Sequence, residues 1–171
     1  MSDAVLRGLA ERLQGICLGR GLTVALAESC TGGLVAATLT EIPGSSGYFA
    51  GGVVSYADAA KASLLGVPEA SLTAHGAVSA QVARAMATGV RERLGTSLAA
   101  SVTGIAGPDG GTAEKPVGLT YVGVADDRGT DVRRFNWTGD REVNRHESAR
   151  AALELLVERA EALPGRDRAA G

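Results

Sequence analysis

The sequence contains few aromatic residues and no excess of positive charge. Phe, Trp and Tyr make up 4% of the 171 residues, and the formal net charge is −2. A nucleic-acid-binding surface needs a basic face and often stacks bases on aromatic rings, so this composition indicates that nucleic acid is not a partner. The core has to be built from Ala, Val and Leu instead. A chain of this length can form one domain with a substantial core.

The sequence also lacks the features of membrane, secreted and metal proteins. No uninterrupted apolar run approaches the roughly 20 residues that a membrane span needs, and charged residues interrupt the apolar pattern near the N-terminus, unlike in a signal peptide. With no sign of secretion, we expect Cys17 and Cys30 to be reduced thiols in the cytoplasm. His75 and His146 lie far apart, without a cysteine or carboxylate cluster at ligand spacing, so we expect no metal site.

Apolar strand-like runs alternate with helical patterns over the first part of the chain. The expected helices cover 3–19, 32–42, 58–65, 80–94 and 141–162, and the expected strands cover 22–28, 52–56, 98–102, 117–125 and 131–137. Pro68 is expected to be the first helical residue of a further short turn. Strand–helix alternation followed by a hairpin predicts a three-layer α/β/α sandwich with a mixed sheet of about five strands. We expect a single domain over 1–163 and a disordered tail over 164–171.

Polar or glycine-rich segments follow three of the expected strands. They cover 28–33, 55–61 and 103–111. Ligands in α/β folds usually bind beyond the carboxyl ends of the strands. We therefore expect these segments to converge on one cleft.

The first segment, within LAESCTGG, offers two candidate nucleophiles. Ser29 lies between an expected strand and a helix start, where backbone N–H groups suit a phosphate or an oxyanion. Alternatively, Ser29 or Thr31 caps the helix, because Ser and Thr are favoured at that position. Cys30 is either a rival nucleophile or a small buried hydrophobic residue. Adjacent strand residues point opposite ways, so only one of Ser29 and Cys30 should face the cleft.

A serine nucleophile needs a base, and no histidine lies near these elements in the sequence. Lys61, on the helix after Tyr56, is the other candidate. An ordinary lysine, with a pKa of about 10.4, is protonated at neutral pH, but burial lowers that pKa. The residues by themselves favour a solvated helix lysine at 61 and a strand-end packing residue at 56.

Six fragments in order resemble the CinA C-terminal domain family over residues 5–158. They are ESCTGG (28–33), PGSS (43–46), SY with a lysine five residues later (55–61), HGAVS (75–79), TGIAGPDGG (103–111) and KPVG (115–118). That family includes nicotinamide-nucleotide amidases. The resemblance implies hydrolysis of nicotinamide mononucleotide (NMN) to nicotinic acid mononucleotide and ammonia, without metal or cofactor. It implies Ser29 as nucleophile and Lys61 as base, with Tyr56 assisting proton transfer.

Such a reaction needs donors for an oxyanion and a site for the cationic ring. We expect the oxyanion donors among the backbone N–H groups of Cys30, Thr31, Gly32 and Gly33. Thr103 or Gly104, at another strand end, could add a hydroxyl or an amide. Asp109 and Glu114 either face the pyridinium cation or are solvated loop residues.

The phosphate of such a substrate needs a site of its own. Arg141 and Arg145 are four residues apart at the start of the last helix, so they share a face near a helix N-terminus. The alternative is that these arginines pair with neighbouring glutamates. Ser45 and Ser46 are other candidate contacts for phosphate or ribose.

Two further functions stay open from the sequence. One is a catalytically silent nucleotide-binding or regulatory module that keeps the cleft, and the other is a thiol hydrolase built on Cys30. We also expect a homodimer, because apolar helices such as 80–94 can cover one another across subunits.

Overall fold

A five-stranded mixed sheet organises the protein, whose computed structural model describes residues 3–166. The strands are β1 (Val24–Glu28), β2 (Phe49–Val54), β3 (Leu98–Gly104), β4 (Leu119–Asp126) and β5 (Gly129–Asn136). Across the sheet their order is β2-β1-β3-β4-β5. Strand β1 runs parallel to β2 and β3, whereas β4 runs antiparallel to β3 and β5. The predicted mixed sheet and C-terminal hairpin are confirmed.

Helices cover both faces of this sheet. They are α1 (Ala4–Arg20), α2 (Leu34–Thr40), α3 (Asp58–Leu65), α4 (Glu69–His75), α5 (Ala80–Leu94) and α6 (Arg141–Ala162). One apolar cluster packs α1, α2 and α6 against Val24 and Leu26 of β1. The other packs α3 and α5 against Ala25 and Ala27, which point to the opposite face of the same strand. The predicted α/β/α sandwich is therefore confirmed.

Local chemistry sets several helix ends. Gly21, Gly66 and Gly95 follow α1, α3 and α5 with φ of 66°, 69° and 63°, a left-handed conformation that glycine adopts without a Cβ penalty. At the other end of α5, Ser79 Oγ accepts a hydrogen bond from the N–H of Val82. The bounds of α3, α5 and α6 are those that the sequence predicts.

Several predicted boundaries are wrong where pairing or backbone geometry decides them. Strand β2 begins and ends earlier than the predicted 52–56, because its residues pair with the short strand β1. Helix α2 is shorter than the predicted 32–42, since Gly32 and Gly33, with φ of 60° and 100°, belong to the preceding turn. Pro68 is the N-cap before α4 and not its first residue.

The parallel strands β1, β2 and β3 end at the same edge of the sheet, and this edge carries the candidate site. No described helix is long and apolar enough to cross a membrane. Of the predicted disordered tail, residues 167–171 lie outside the described range. Within that range, the N–H of Arg166 donates to the carbonyl of Arg20 at 2.7 Å.

Candidate active site

The carboxyl ends of β1, β2 and β3 open onto one cleft of about 260 Å³. Its lining includes Ser29 after β1, Tyr56 after β2 and Gly104 at the end of β3. The three polar segments that follow these strands in the sequence therefore do meet in space.

Lys61 projects from α3 into this cleft and is almost wholly buried, with 1% of its surface exposed. Its Nζ lies 3.1 Å from Ser29 Oγ. The same Nζ donates to the backbone carbonyls of Ser55 at 2.8 Å and Tyr56 at 3.2 Å. A solvated helix lysine, the alternative from the sequence, is not what the structure contains.

Burial shifts the protonation equilibrium of Lys61 toward the neutral amine. Burial lowers the pKa of its ammonium group because the charged form loses hydration, and the carboxylate of Asp58 partly opposes this shift. A neutral amine has two N–H groups and one lone pair. The carbonyls of Ser55 and Tyr56 can accept both N–H groups, which leaves the lone pair for the hydroxyl proton of Ser29. This geometry suits general-base chemistry.

Glu28 holds the turn between β1 and α2, a role that the sequence analysis missed. The residue is buried, with 2% of its surface exposed. Its Oε2 accepts from the N–H groups of Gly33 at 3.0 Å and Val35 at 3.2 Å, and its Oε1 accepts from Ala36 at 2.8 Å. An internal carboxylate thus occupies the helix-start N–H groups that were expected to face a phosphate. The sequence does contain one indication of this role: Gly33 has no side chain that could cap α2, so another residue has to accept the first N–H groups of the helix.

Neither Ser29 nor Thr31 caps α2, because its N-cap is Gly33, which makes no side-chain hydrogen bond. The N–H of Ser29 donates to the carbonyl of Val102 at 3.0 Å, and this bond fixes the backbone at the end of β1. Ser29 Oγ remains available to Lys61, whose Nζ donates to it at 3.1 Å. Thr31 Oγ1 is buried and has no hydrogen-bond partner within residues 3–166.

Two of the four expected oxyanion donors already bond within the protein. The N–H of Gly32 donates to the carbonyl of Ser29 at 3.0 Å, and the N–H of Gly33 donates to the carboxylate described above. Among residues 3–166, the N–H groups of Cys30 and Thr31 donate to no backbone carbonyl, and the N–H of Cys30 faces only its own side-chain sulfur. These two groups are therefore the ones that remain able to bind an oxyanion.

Arg145 holds the same turn from α6. Its Nε donates to the carbonyl of Cys30 at 3.2 Å, and its Nη2 donates to the carbonyl of Thr31 at 2.9 Å. In a trans peptide the N–H points opposite to the preceding C=O, so the N–H of Thr31 is directed away from Arg145. This guanidinium group thus orients a free amide beside the serine.

Arg141 lies at the rim of the cleft. It donates to the carbonyl of Gly107 at 2.8 Å and to the phenol oxygen of Tyr56 at 3.2 Å. With Arg145 and His146 it also lines an adjoining cavity of about 690 Å³. The expected cluster of two arginines at the start of α6 is therefore present.

Cys30 lines the cleft together with Ser29, so the expectation that only one of the two would face it is wrong. Cys30 also packs into the apolar core with α1, α2 and α6. Burial raises the pKa of its thiol to about 11, so the thiol stays protonated near neutral pH. A reactive cysteine needs the opposite shift. Close packing is also evident at Gly104, where an added Cβ would lie 3.1 Å from the Cys30 sulfur.

The remaining predicted cleft residues contribute unequally. The ring of Tyr56 is exposed, and its backbone carbonyl, not its phenol, contacts Lys61. Thr103 Oγ1 donates to the carbonyl of Ala77 at 2.9 Å, which fixes the connector before α5 to the end of β3. Two carboxylate residues, Asp58 and Asp109, line the cleft. Asp109 is a sequence-based candidate for contact with a cationic ring, whereas Asp58 is not.

Ser45 and Ser46 are not brought to this cleft. They form a 3₁₀ turn before the start of β2, whereas the cleft lies beyond its end. A strand rises about 3.3 Å per residue, so the length of β2 separates these serines from Ser29 by roughly 20 Å along the sheet. Direct contact with a substrate at Ser29 is incompatible with that placement.

Comparison with known protein sequences gives a consistent result. The family model described as "CinA C-terminal domain" matches residues 6–160. A CinA-like protein of Citrifermentans bemidjiense is 53% identical over 146 residues, which are 85% of this chain and 35% of that protein. A CinA-like protein of Geotalea daltonii is 51% identical over 154 residues, covering 90% of this chain and 36% of the relative. The chain thus spans about a third of the length of these curated relatives.

Solved structures match nearly end to end. The competence/damage inducible protein CihA from Agrobacterium tumefaciens is 42% identical, with a TM-score of 0.90 over 92% of this chain and 98% of that one. A CinA superfamily protein from Klebsiella pneumoniae is 31% identical, with a TM-score of 0.88 over 92% of this chain and 99% of that one.

Proposed function

Because this chain belongs to the CinA C-terminal domain family, we propose that it is a nicotinamide-nucleotide amidohydrolase. In this proposal it hydrolyses the carboxamide of NMN to nicotinic acid mononucleotide and ammonia, by a Ser–Lys mechanism that requires no metal ion. The observation that carries the proposal is the contact of the buried Lys61 amine with Ser29 Oγ at 3.1 Å. An unpaired lysine is costly to bury, and a catalytic role accounts for its position.

In the first step, Ser29 Oγ attacks the carboxamide carbon while its proton passes to Lys61 Nζ. The carbonyl oxygen becomes an oxyanion, which the N–H groups of Cys30 and Thr31 can stabilise. The new Lys61 ammonium then protonates the departing amine, and ammonia leaves. The product of this step is an ester between Ser29 and the nicotinoyl nucleotide.

In the second step, water replaces ammonia in the cleft. Lys61, neutral again, accepts a proton from this water as it attacks the ester carbon. The tetrahedral intermediate collapses, and the proton returns from Lys61 to the Ser29 oxygen. Nicotinic acid mononucleotide is released, and the enzyme regains its starting protonation state.

The charges around the cleft support a substrate with opposite charges at its two ends. The carboxylates of Asp58 and Asp109 line the side near Ser29 and suit a cationic ring. The adjoining cavity is lined by Arg141 and Arg145 and also by the carboxylate residues Asp140 and Glu142. The two guanidinium groups suit a phosphate, and Arg141 belongs to both cavities. Nicotinamide mononucleotide carries both charges.

Ammonia release from NMN by the purified protein tests the proposal. We expect turnover by the wild type, and a loss of about 10⁴-fold or more for Ser29→Ala and Lys61→Ala, because nucleophile and base act as one unit. Ser46→Ala is the matched control, since this exposed serine lies at the opposite edge of the sheet.

Each alternative gives a different result. A wild type that binds NMN without releasing ammonia indicates a silent nucleotide-binding module. Full activity of Ser29→Ala combined with an inactive Cys30→Ala transfers the nucleophile to the thiol. Equal activity of Ser29→Ala and Ser46→Ala contradicts the serine mechanism.

A further inference from the structure

The turn that carries Ser29 has little rigidity of its own. Gly32 and Gly33 both have positive φ, and the N-cap of α2 makes no side-chain hydrogen bond. Glycine has no Cβ that would restrict these backbone angles, so the two residues add no side-chain contact that holds the turn. The position of Ser29 relative to Lys61 therefore depends on contacts from outside the turn.

Besides Arg145, which holds two carbonyls of this turn, Glu28 supplies three such contacts from the residue directly before the serine. Its two carboxylate oxygens accept three N–H groups, those of Gly33, Val35 and Ala36, at 2.8 to 3.2 Å. These bonds tie the end of β1 to the first turn of α2. They therefore close the loop that contains Ser29 and the free N–H groups of the next two residues.

The backbone of Glu28 is fixed as well. Its carbonyl accepts from the N–H of Ser55 at 2.8 Å, and the carbonyl of Ser55 in turn accepts from Lys61 Nζ at 2.8 Å. The side chain of Glu28 thus holds the serine turn, while its backbone holds Ser55, whose carbonyl binds the Lys61 amine. The 3.1 Å contact between Lys61 and Ser29 lies between these two connections.

We propose that Glu28 is a positioning residue for Ser29, setting the distance from its hydroxyl to the Lys61 amine and the direction of the adjacent N–H groups. This inference rests on the proposed role of Ser29 as nucleophile. Loss of the carboxylate leaves buried N–H groups without acceptors, so the turn shifts to satisfy them. A misplacement of about 1 Å at a reacting atom can cost about 10²-fold in rate.

Two substitutions grade the effect. Glu28→Gln keeps the length of the side chain but replaces one accepting oxygen by an NH₂ group that cannot accept. Glu28→Ala removes all three bonds. Asp126→Ala is the matched control, because the buried Asp126 carboxylate accepts from the N–H of Arg128 in the β4–β5 turn, at the end of the sheet opposite to the serine turn.

The test measures the reactivity of Ser29 without relying on the identity of the substrate. The probe is phenylmethanesulfonyl fluoride, with which Ser29 Oγ forms a bond to sulfur as fluoride leaves and the hydroxyl proton passes to Lys61. Mass spectrometry follows labelling of the peptide that contains Ser29, well below the unfolding temperature. Urea unfolding, and kcat and KM for NMN, are measured on the same samples.

We expect labelling of Ser29 to slow about tenfold in Glu28→Gln and about 100-fold in Glu28→Ala, with kcat for NMN falling in parallel and KM unchanged within about threefold. Asp126→Ala should lose stability but label at the wild-type rate. A folded Glu28→Gln protein that labels as fast as the wild type overturns the inference and leaves Glu28 as a stabilising cap. If the wild type is not labelled at Ser29, kcat for NMN decides: a wild-type kcat in Glu28→Gln overturns the inference, and absence of NMN turnover in the wild type contradicts the proposed function and this inference with it.

If neither Glu28 variant folds, hydrogen exchange in the wild type decides. The inference requires slow exchange of the amides of Gly33, Val35 and Ala36, both before and after Ser29 is labelled. Fast exchange at these amides overturns it.

Discussion

Replacing Lys61 by methionine separates the catalytic role of the amine from the packing of its side chain. Methionine has a similar length and fills the buried space, but it cannot accept a proton. The carbonyls of Ser55 and Tyr56 lose their donor, while the cost of burying a group that can carry charge disappears. Two measurements separate these effects. Activity reports the loss of the proton acceptor, whereas stability reports both the lost hydrogen bonds and the removed cost of burying the amine.

The expected loss of activity follows from the two tasks of one amine. A single general base or acid contributes about 10²- to 10⁴-fold. Lys61 is placed to accept the proton of Ser29 and to return it to the leaving amine, so we expect kcat/KM to fall by about 10⁴-fold. That loss equals about 5.4 kcal/mol of transition-state stabilisation at about 1.36 kcal/mol per tenfold. The assay is ammonia release from NMN, with Lys115→Met, the replacement of the other lysine, as control.

The expected change in stability depends on pH. In the folded protein, burial lowers the pKa of Lys61 below its ordinary 10.5, so between the two pKa values the unfolded state binds more protons. Wild-type stability should therefore rise with pH through that window. Below it, each unit of lowering costs the wild type about 1.4 kcal/mol. The free energy of unfolding of Lys61→Met, relative to that of the wild type, should thus be highest at pH values below the window. This advantage should disappear as the pH approaches 10.5.

Urea unfolding of both proteins at a series of pH values measures this difference, because the other titrating groups cancel. A stability difference that does not change with pH would refute the lowered pKa. A Lys61→Met protein that keeps more than about a tenth of wild-type kcat/KM would refute the role of the amine as base.

Two further predictions concern the surroundings of this pair. Cys30→Ala should keep kcat/KM within about threefold of the wild type, because burial raises the pKa of this thiol to about 11 and leaves it protonated; a loss comparable with that of Ser29→Ala contradicts this. Asp58→Asn should move the acidic limb of the pH profile of kcat/KM to lower pH. Burial lowers the pKa of Lys61 and the Asp58 carboxylate opposes that shift, so removing the carboxylate lowers this pKa further. A limb that stays in place or moves to higher pH contradicts the assignment of that limb to Lys61.

The fold was predictable where local chemistry determines it. Gly66 and Gly95 end α3 and α5 at the predicted residues, because a left-handed glycine stops a helix whatever surrounds it. Strand β2 was placed wrongly because its bounds depend on pairing with β1, from a distant part of the chain. The sequence 49–54 contains apolar and glycine residues throughout, so its pattern does not define where a strand begins.

The site was predictable in composition but not in geometry. Family resemblance identified Ser29 and Lys61, yet the spacing of 32 residues between them says nothing about a 3.1 Å contact or about burial of the amine. The role of Glu28 could not be predicted from the sequence, because the Glu28 carboxylate reaches the N–H groups of α2 only after the turn between them has folded back. The expectation for Ser46 is wrong because the local sequence does not show the direction of β2. Since β2 runs parallel to β1, the turn before it lies at the end of the sheet opposite to Ser29.

The central claim is that burial makes the Lys61 amine a base for the Ser29 hydroxyl, and titration of that amine tests it most directly. The chain contains only two lysines, Lys61 and Lys115. Incorporation of lysine labelled with ¹³C at Cε therefore gives two signals, and Lys61→Met assigns them. We expect one signal to titrate near the ordinary pKa of about 10.4, and the Lys61 signal to titrate at lower pH, at the midpoint of the acidic limb of kcat/KM. Two signals that both titrate near about 10.4 would contradict the account.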